Sequence, residues 1–324
     1  MPYAKARELG DRIDWRADDL ARPSFVGRRA LEKFPLADLV PYIDWTFFFH
    51  AWELRGKFPQ ILDHPEYGKA ARDLYGDATR LLDRIVRERL LSASGVYGFW
   101  PANSDGDDVI VWTDEARSSE RLRFHFLRQQ ETKVDGQKTY RSLADYVAPR
   151  ASGLADSIGA FAVNAGIGVD ALVAQFEAAN DNYSAIIVKA LADRFAEAFA
   201  EYLHERARRE WGYEREKLTK EELLEEKYRG IRPAFGYPAC PEHSEKAALF
   251  ELLEAEKVGL ALTEHYAMIP AASVSGLYFA HPEARYFNLG KVNRDQVAEY
   301  AARKSLDVRA AERLLSTSLA YDPD

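Results

Sequence analysis

The sequence is poor in cysteine: Cys240 is the only one in 324 residues. A single cysteine cannot form a disulfide within the chain, which fits a reducing compartment such as the cytoplasm. No apolar run approaches the ~20 residues that a membrane-spanning helix needs. The first residues, Met1-Pro-Tyr-Ala-Lys5, contain no apolar signal region. We therefore expect a cytoplasmic protein with no membrane segment.

The sequence also lacks an excess of basic residues. The 44 lysines and arginines against 52 aspartates and glutamates give a net charge of −8. A surface that binds nucleic acid is basic, so no nucleic-acid partner is expected. Hydrophobic residues make up 47% and charged residues 30% of the chain, as is usual for a globular protein.

A third absence concerns the fold. No Gly-x-Gly-x-x-Gly motif follows a predicted strand, and strands do not alternate regularly with helices. Helices, hairpin strands and long crossovers are mixed instead. This order favours an α+β fold with an antiparallel sheet and argues against a Rossmann fold.

Apolar residues at helical spacing predict the helices. One is expected over residues 68–91, with Gly95 ending it, and Asp170 is expected to cap another that runs to Ala179. Asp307 is expected to cap the last helix. The other predicted helices cover residues 182–208 and 242–257, each with an apolar face, and residues 221–228, 294–304 and 308–315. The helix at 221–228 is very acidic.

Apolar runs and alternation predict the strands of the first half of the chain. Residues 96–100 and 109–112 are expected to form a hairpin across residues 103–106. A third strand contains Leu122, Phe124 and Phe126, and it places His125 on the solvent side. Residues 158–163 are expected to form a buried strand.

Further strands are predicted near the C-terminus. Residues 266–269 and 274–279 are expected to pair as a hairpin across residues 270–273. Tyr286 and Phe287 are adjacent aromatics. In a strand they would point to opposite faces, one toward the core and one toward a ligand.

The segment from Arg229 to Lys246 interrupts the helical pattern with three prolines, two glycines and the only cysteine. Such a composition predicts a rigid, shaped loop, which can bind a small polar ligand with little loss of entropy. Composition alone favours an ordinary proline-rich connector between helices. Cys240 and His243 have ligand-like spacing, but zinc needs about four ligands and no second pair exists. A packed thiol and a polar histidine at a helix start are therefore expected.

The order of residues in this segment is specific. Arg232-Pro-Ala-Phe-Gly-Tyr-Pro-Ala-Cys-Pro241 resembles the Arg-x-x-x-Gly-Tyr-x-Ala-Cys-Pro signature of the activation domain of cobalamin-dependent methionine synthase. The resemblance extends from about Arg22 to Asp324. It is supported by the stretches at residues 42–45, 100–103, 106–108, 272–276, 278–279 and 281–282.

The resemblance implies a domain organisation. Residues 23–324 are expected to form a single C-shaped α+β domain, with a twisted antiparallel sheet flanked by helices, and residues 1–22 a linker or N-terminal extension. In this family a preceding domain holds the cobalamin through an Asp-x-His-x-x-Gly motif. That motif is absent here, since Asp63-His64 has the wrong spacing. We expect a fragment of a methionine synthase or a separate activation subunit.

The resemblance also implies a site for S-adenosylmethionine. Asp44 is expected to contact the ligand and also to cap the helix that starts at Trp45. Arg232 suits the ligand's carboxylate, because its planar fork can bind bidentately. The expected cofactor-binding residues are Asp44, Glu197, Glu226, Arg232, Ala234, Gly236, Tyr237, Tyr286 and Phe287.

The family's chemistry needs positioning rather than acid–base groups. After cobalamin is oxidised to cob(II)alamin, an electron from a flavodoxin-type donor and a methyl from S-adenosylmethionine restore methylcobalamin. Because the cobalt attacks the methyl, no catalytic residue and no metal site are expected in this chain. The expected partners are the cobalamin-binding domain, which holds the cobalamin, and the flavodoxin-type donor.

Two other functions stay open at this point. The chain could be a non-catalytic module that binds S-adenosylmethionine and docks flavodoxin and a cobalamin protein. It could also be an independent methyltransferase that acts on a small acceptor. The lack of an obvious general base weighs against the second of these.

Overall fold

The computed structural model describes residues 1–133, 139–214, 218–219, 222–223 and 227–323. A six-stranded antiparallel sheet lies at its centre. The six strands are β1 Gly27–Phe34, β2 Ser92–Asp105, β3 Asp108–Trp112, β4 Glu120–His125, β5 Asp156–Ile167 and β8 Ser273–Tyr278. Their order in the sheet is β4-β3-β2-β5-β8, and β1 pairs with the first part of β2.

Helices cover both faces of this sheet. The longest described helix, α6, runs from Asn182 to Glu210. Asp181 is its N-cap, and the Asp181 side chain accepts the Ser184 N–H at 3.0 Å. Helices α6 and α4 pack on one face of the sheet, and α7 (Glu245–Leu253) packs on the other face. The described helices are α1 Tyr3–Glu8, α2 Leu36–Leu39, α3 Trp45–His50, α4 Gly68–Glu88, α5 Val169–Ala178, α6, α7 Glu245–Leu253, α8 Arg294–Arg303 and α9 Val308–Leu314.

The prediction of an α+β fold with an antiparallel sheet flanked by helices is confirmed. Asp307 caps α9 as predicted, accepting the Ala310 N–H at 2.8 Å. The helix predicted at residues 182–208 corresponds to α6. The helix predicted at residues 221–228 falls partly outside the described residues. Where the structure describes the chain, no helix is long and apolar enough to cross a membrane.

Two predicted helix boundaries are wrong. Helix α4 ends where Arg89 adopts a left-handed conformation with φ 54°, and Gly95 lies inside β2. A Cβ on Gly95 would lie 2.9 Å from Val163 Cγ1, so glycine is needed there for close packing. Asp170 does not cap α5, because the preceding Gly168, with φ 97°, occupies that position.

His125 was expected on the solvent side, and this prediction is wrong. Its side chain is only 14% exposed, and Nδ1 lies 3.3 Å from Oε1 of the buried Glu245. The His125 N–H also donates to Glu245 Oε2 at 3.0 Å. Glu245, the first residue of α7, contacts this histidine and so covers a side chain that alternation assigned to water.

The second half of the sheet also differs from expectation. Met268–Ile269 (β7) pairs with Ala261–Leu262 (β6) instead of with β8. Strand β8 pairs with β5, with Gly159 opposite Tyr278. The helix predicted at residues 242–257 begins three residues later, at Glu245, and ends at Leu253 before a short 3-10 turn. Tyr286 and Phe287 do not form a strand.

Residues 1–22 lie against the rest of the chain. The buried Tyr3 donates its hydroxyl hydrogen to Asp107 Oδ2 at 2.7 Å. The Trp15 ring packs against His281 with a centroid distance of 4.5 Å. The Asp19 carbonyl accepts from Arg229 Nη2. The predicted domain boundary at residue 22 stays a prediction.

The packing of α6 on the sheet can be tested by substitution. Phe199 is fully buried, whereas Ile186 on the same helix is 52% exposed. We expect Phe199→Ala to lower the free energy of unfolding by about 3–5 kcal/mol, because it leaves a cavity in the core. Ile186→Ala should change it by less than about 0.5 kcal/mol. Chemical denaturation of both variants checks this, and equal losses would contradict the packing.

Candidate functional site

A cavity of about 1210 Å³ is lined by α6, by three further segments of the chain and by Leu218, Thr219 and Leu223. One segment precedes and begins α3 at residues 41–47, the second contains residues 232–239, and the third contains residues 286–288. Phe161 of β5 and Val274 of β8 form its sheet side. A cavity of this size suits a ligand as large as a nucleotide rather than a single ion.

The second segment is fixed because its backbone continues the sheet. Ile231 and Phe279 exchange two hydrogen bonds of 3.0 Å, and the Leu277 N–H donates to the Pro233 carbonyl at 3.0 Å. Gly276 permits this approach, because a Cβ there would lie 2.5 Å from the Pro233 oxygen. Arg232, between these anchors, is therefore held at the cavity wall.

Beyond the anchors the chain makes a tight turn. The Gly236 N–H donates to the Cys240 carbonyl at 2.8 Å, and the Cys240 N–H donates to Tyr237 O at 2.9 Å. Gly236 has φ 99°, and a Cβ there would lie 2.4 Å from the His243 ring. Phe235 is buried and stacks on Phe126 at 6.2 Å. The turn thus leaves Tyr237 60% exposed at the cavity.

Cys240 is the packed thiol that the sequence led us to expect. It is buried, and Sγ donates to the Ala234 carbonyl at 3.1 Å. Burial raises the pKa of the thiol well above its ordinary value. Within the part of the chain that the structure describes, no group of three or more His, Cys, Asp or Glu side chains could hold a metal ion.

The third segment is tied to the second. The Leu289 N–H donates to Pro238 O at 2.8 Å, and the Tyr286 hydroxyl accepts the Arg232 N–H at 3.0 Å. Tyr286 and Phe287 both line the cavity from this loop, without belonging to a strand. Two irregular segments therefore form one wall.

The opposite wall is an acidic face of α6. Glu197, Glu201 and Glu205, each four residues apart, all line the cavity, since side chains at this spacing share one helix face. Glu205 Oε2 accepts from the Tyr42 hydroxyl at 2.7 Å, and Glu201 Oε2 accepts from Arg232 Nη2 at 2.7 Å. Glu197 makes no hydrogen bond or ion pair with any residue whose placement is described.

Arg232 is charged in this setting. The side chains of Arg232 and Glu201 are each 20% exposed. Burial by itself would lower the pKa of Arg232, but the nearby Glu201 carboxylate, with smaller contributions from Tyr228, Tyr286 and Glu197, raises it above its ordinary value. An arginine so held presents a fixed guanidinium to the cavity.

Asp44 has both of the positions expected for it. Its Oδ1 accepts the Thr46 N–H at 2.8 Å and so caps α3, as predicted, and the half-buried residue lines the cavity. Carboxylates outnumber guanidiniums in the described lining, which favours a ligand with net positive charge. The ionisable acids and arginines concerned are Asp44, Glu197, Glu201, Glu205, Arg194 and Arg232.

The cavity brings together most of the residues that the sequence suggested. Gly236 shapes the turn but is not among the lining residues, and Glu226 lies outside the described residues. Glu201 and Glu205 were missed, although their spacing from Glu197 on a predicted helix was a usable signal. The predicted residues that line the cavity are Asp44, Glu197, Arg232, Ala234, Tyr237, Tyr286 and Phe287.

The fold and the cavity define an α+β domain that binds a small ligand outside the Rossmann class. A family model described as vitamin B12 dependent methionine synthase, activation domain, matches residues 35–305. The chain is also similar to a solved structure, "Crystal Structure of the MetH Reactivation Domain bound to AdoHcy", with 48% sequence identity, a TM-score of 0.95 and 99% of each chain covered. The chain belongs to the activation-domain family of vitamin B12-dependent methionine synthase.

The burial of Cys240 makes a direct prediction about thiol chemistry. A buried thiol with a raised pKa should react poorly, because the thiolate is the nucleophile. We expect no labelling of the native protein by a disulfide reagent at pH 8 during the time in which denatured protein is fully labelled. Absorbance of the released chromophore measures this, and equal rates for native and denatured protein would contradict the packing of the turn.

Proposed function

We propose that this chain binds S-adenosylmethionine in the cavity and presents its methyl group to a cobalamin held by another domain of methionine synthase. The observation that supports this most strongly is the similar reactivation domain with AdoHcy bound, at 48% identity over 99% of the chain. AdoHcy is S-adenosylhomocysteine, which S-adenosylmethionine becomes on losing its methyl group. The two ligands share every group except the methyl and the charge on sulfur.

The lining fits such a ligand. The ligand carries a carboxylate, for which Arg232 is the charged partner on the second segment. Its sulfonium, ammonium and ribose hydroxyls suit carboxylates, and Asp44 and Glu197 face the cavity from the other side. Tyr237 and Tyr286 supply aromatic surface, with the backbone near Ala234 for the edge of the adenine. A net-acidic lining also favours a ligand whose overall charge is positive.

In this proposal the chain's residues bind and orient, and none attacks the methyl group. The cobalamin of the partner domain supplies the nucleophile, and a flavodoxin-type donor supplies the electron. The mouth of the cavity must then face the cobalamin domain. We propose Glu197, Tyr237 and the undescribed Glu226 as the rim of that contact, and Tyr237 is 60% exposed as a rim residue should be. A cytoplasmic location is part of the same proposal.

Ligand binding is tested first with Arg232. Losing a charge-assisted hydrogen bond costs about 1.5–3 kcal/mol, so Arg232→Ala should weaken S-adenosylmethionine binding about tenfold or more. Arg232→Lys should not restore it, because lysine lacks the planar fork. Calorimetry on folded proteins measures the dissociation constants.

The matched control is Arg87→Ala. Arg87 lies on α4 with its side chain 73% exposed, and it is not part of the cavity lining. Its removal should leave the dissociation constant unchanged. Absence of any heat with the wild-type chain at millimolar ligand would refute the proposed function, whereas intact affinity in folded Arg232→Ala would remove Arg232 from the site.

The proposal also predicts that this chain does not make methionine alone. In this proposal the nucleophile that attacks the methyl group is the cobalamin of the partner domain. Homocysteine and S-adenosylmethionine should therefore give no methionine with the purified chain. The purified chain should also be colourless, because the cobalamin belongs to the partner domain. Chromatographic detection of methionine and an absorption spectrum test this. Turnover with homocysteine alone would point to an independent methyltransferase.

A further inference from the structure

Arg232 has one side-chain partner among the residues that the structure describes, and that partner is Glu201. Nη2 donates to Glu201 Oε2 at 2.7 Å, with both side chains 20% exposed. Of the other guanidinium nitrogens, Nε is buried without a partner. Nη1 makes no hydrogen bond within the described chain and is not fully buried, and Arg232 is one of the residues that line the cavity.

Glu201 makes one hydrogen bond to a residue that the structure describes, and that residue is Arg232. Oε2 accepts from Arg232 Nη2, and Oε1 is buried without a partner. Through this bond Glu201 can act on a ligand by holding the guanidinium. This distinguishes Glu201 from Glu197, which lines the same cavity and has no ion pair within the described residues.

Glu197 is the competitor for Arg232. It lies four residues, about 6 Å along the axis, before Glu201 on the same face of α6, and its charge also acts on Arg232. If Arg232 turned to Glu197, the guanidinium would neutralise a carboxylate that has no ion pair with any described residue. The pairing seen with Glu201 avoids this and keeps both groups available.

Among the neighbours on α6, whose placement the structure describes, none substitutes for Glu201. His204, one turn further along α6, is fully buried and has no partner on either ring nitrogen. Burial, and then the charges of Arg208 and Arg232, lower the pKa of His204 well below its ordinary value, so the ring is neutral. Glu205 is already bonded to Tyr42 and paired with Arg209.

We propose that Glu201 is a positioning residue that fixes the guanidinium of Arg232, with Nη1 toward the amino-acid end of the bound ligand and away from Glu197. The inference rests on the proposed function, in which Arg232 binds the carboxylate of an S-adenosyl ligand. It predicts that Glu201 matters for ligands that have an α-amino-acid group and not for those that lack one.

The test compares S-adenosylhomocysteine with 5′-methylthioadenosine, which keeps the adenosine and sulfur but has no α-amino-acid group. Calorimetry with the full chain should show that Glu201→Gln weakens S-adenosylhomocysteine binding about three- to tenfold, as expected when the ligand must order one long side chain. Binding of 5′-methylthioadenosine should change less than about twofold. Glutamine nearly matches the volume of Glu201, so we expect the fold to be retained.

Glu210→Gln is the matched control, because Glu210 on α6 is also paired with an arginine, Arg206, but does not line the cavity. It should leave the affinity for both ligands unchanged. A second measurement does not depend on the analogue. In the Arg232→Ala background, Glu201→Gln should cause no further loss of S-adenosylhomocysteine affinity, since it acts through Arg232.

Two results would overturn the inference. One is unchanged or tighter S-adenosylhomocysteine binding by folded Glu201→Gln, which would show that Glu201 only competes for Arg232. The other is an equal loss for both ligands, or an additive loss in the double variant, which would show a general structural role. If the wild-type chain bound neither ligand, the proposed function would fail first.

Discussion

The cavity depends on one backbone interaction, the pairing of residues 231–233 with the outer edge of β8. Three hydrogen bonds of 3.0 Å make an irregular, proline-containing segment part of the sheet. Because β8 is itself paired along its other edge to β5, the position of Arg232 is set by the core. The turn after it is then closed by Gly236 and Cys240, and the third segment is attached through Pro238.

The electrostatics follow from that placement. With Arg232 fixed on one wall, the acidic face of α6 lies opposite, and the ion pair of Arg232 with Glu201 joins them. A preformed charge arrangement loses little entropy when a ligand arrives, and a half-buried one is screened less by salt than a surface pair. The cavity therefore suits a zwitterionic, net-cationic ligand.

The sequence was informative where a local rule decides the outcome. Helical periodicity located α6, and the capping roles of Asp44 and Asp307 followed from their positions before apolar helices. Sequence-based prediction failed where residues far away in the chain determine the environment of a side chain. His125 contacts Glu245 of α7, and Gly95 permits close packing against Val163. Most site residues came from the resemblance. Glu201 is a partner of Arg232 only through tertiary contact, which no spacing rule shows.

The central claim is that this chain donates its ligand's methyl group to a cobalamin on another domain. The most direct measurement mixes the chain with a cobalamin-binding fragment of methionine synthase in the cob(II)alamin state, a flavodoxin-type reductant and S-adenosylmethionine, and follows the cobalamin absorption spectrum. We expect methylcobalamin to appear only when the chain is present, and more slowly with Arg232→Ala. Its appearance at the same rate without the chain would contradict the claim.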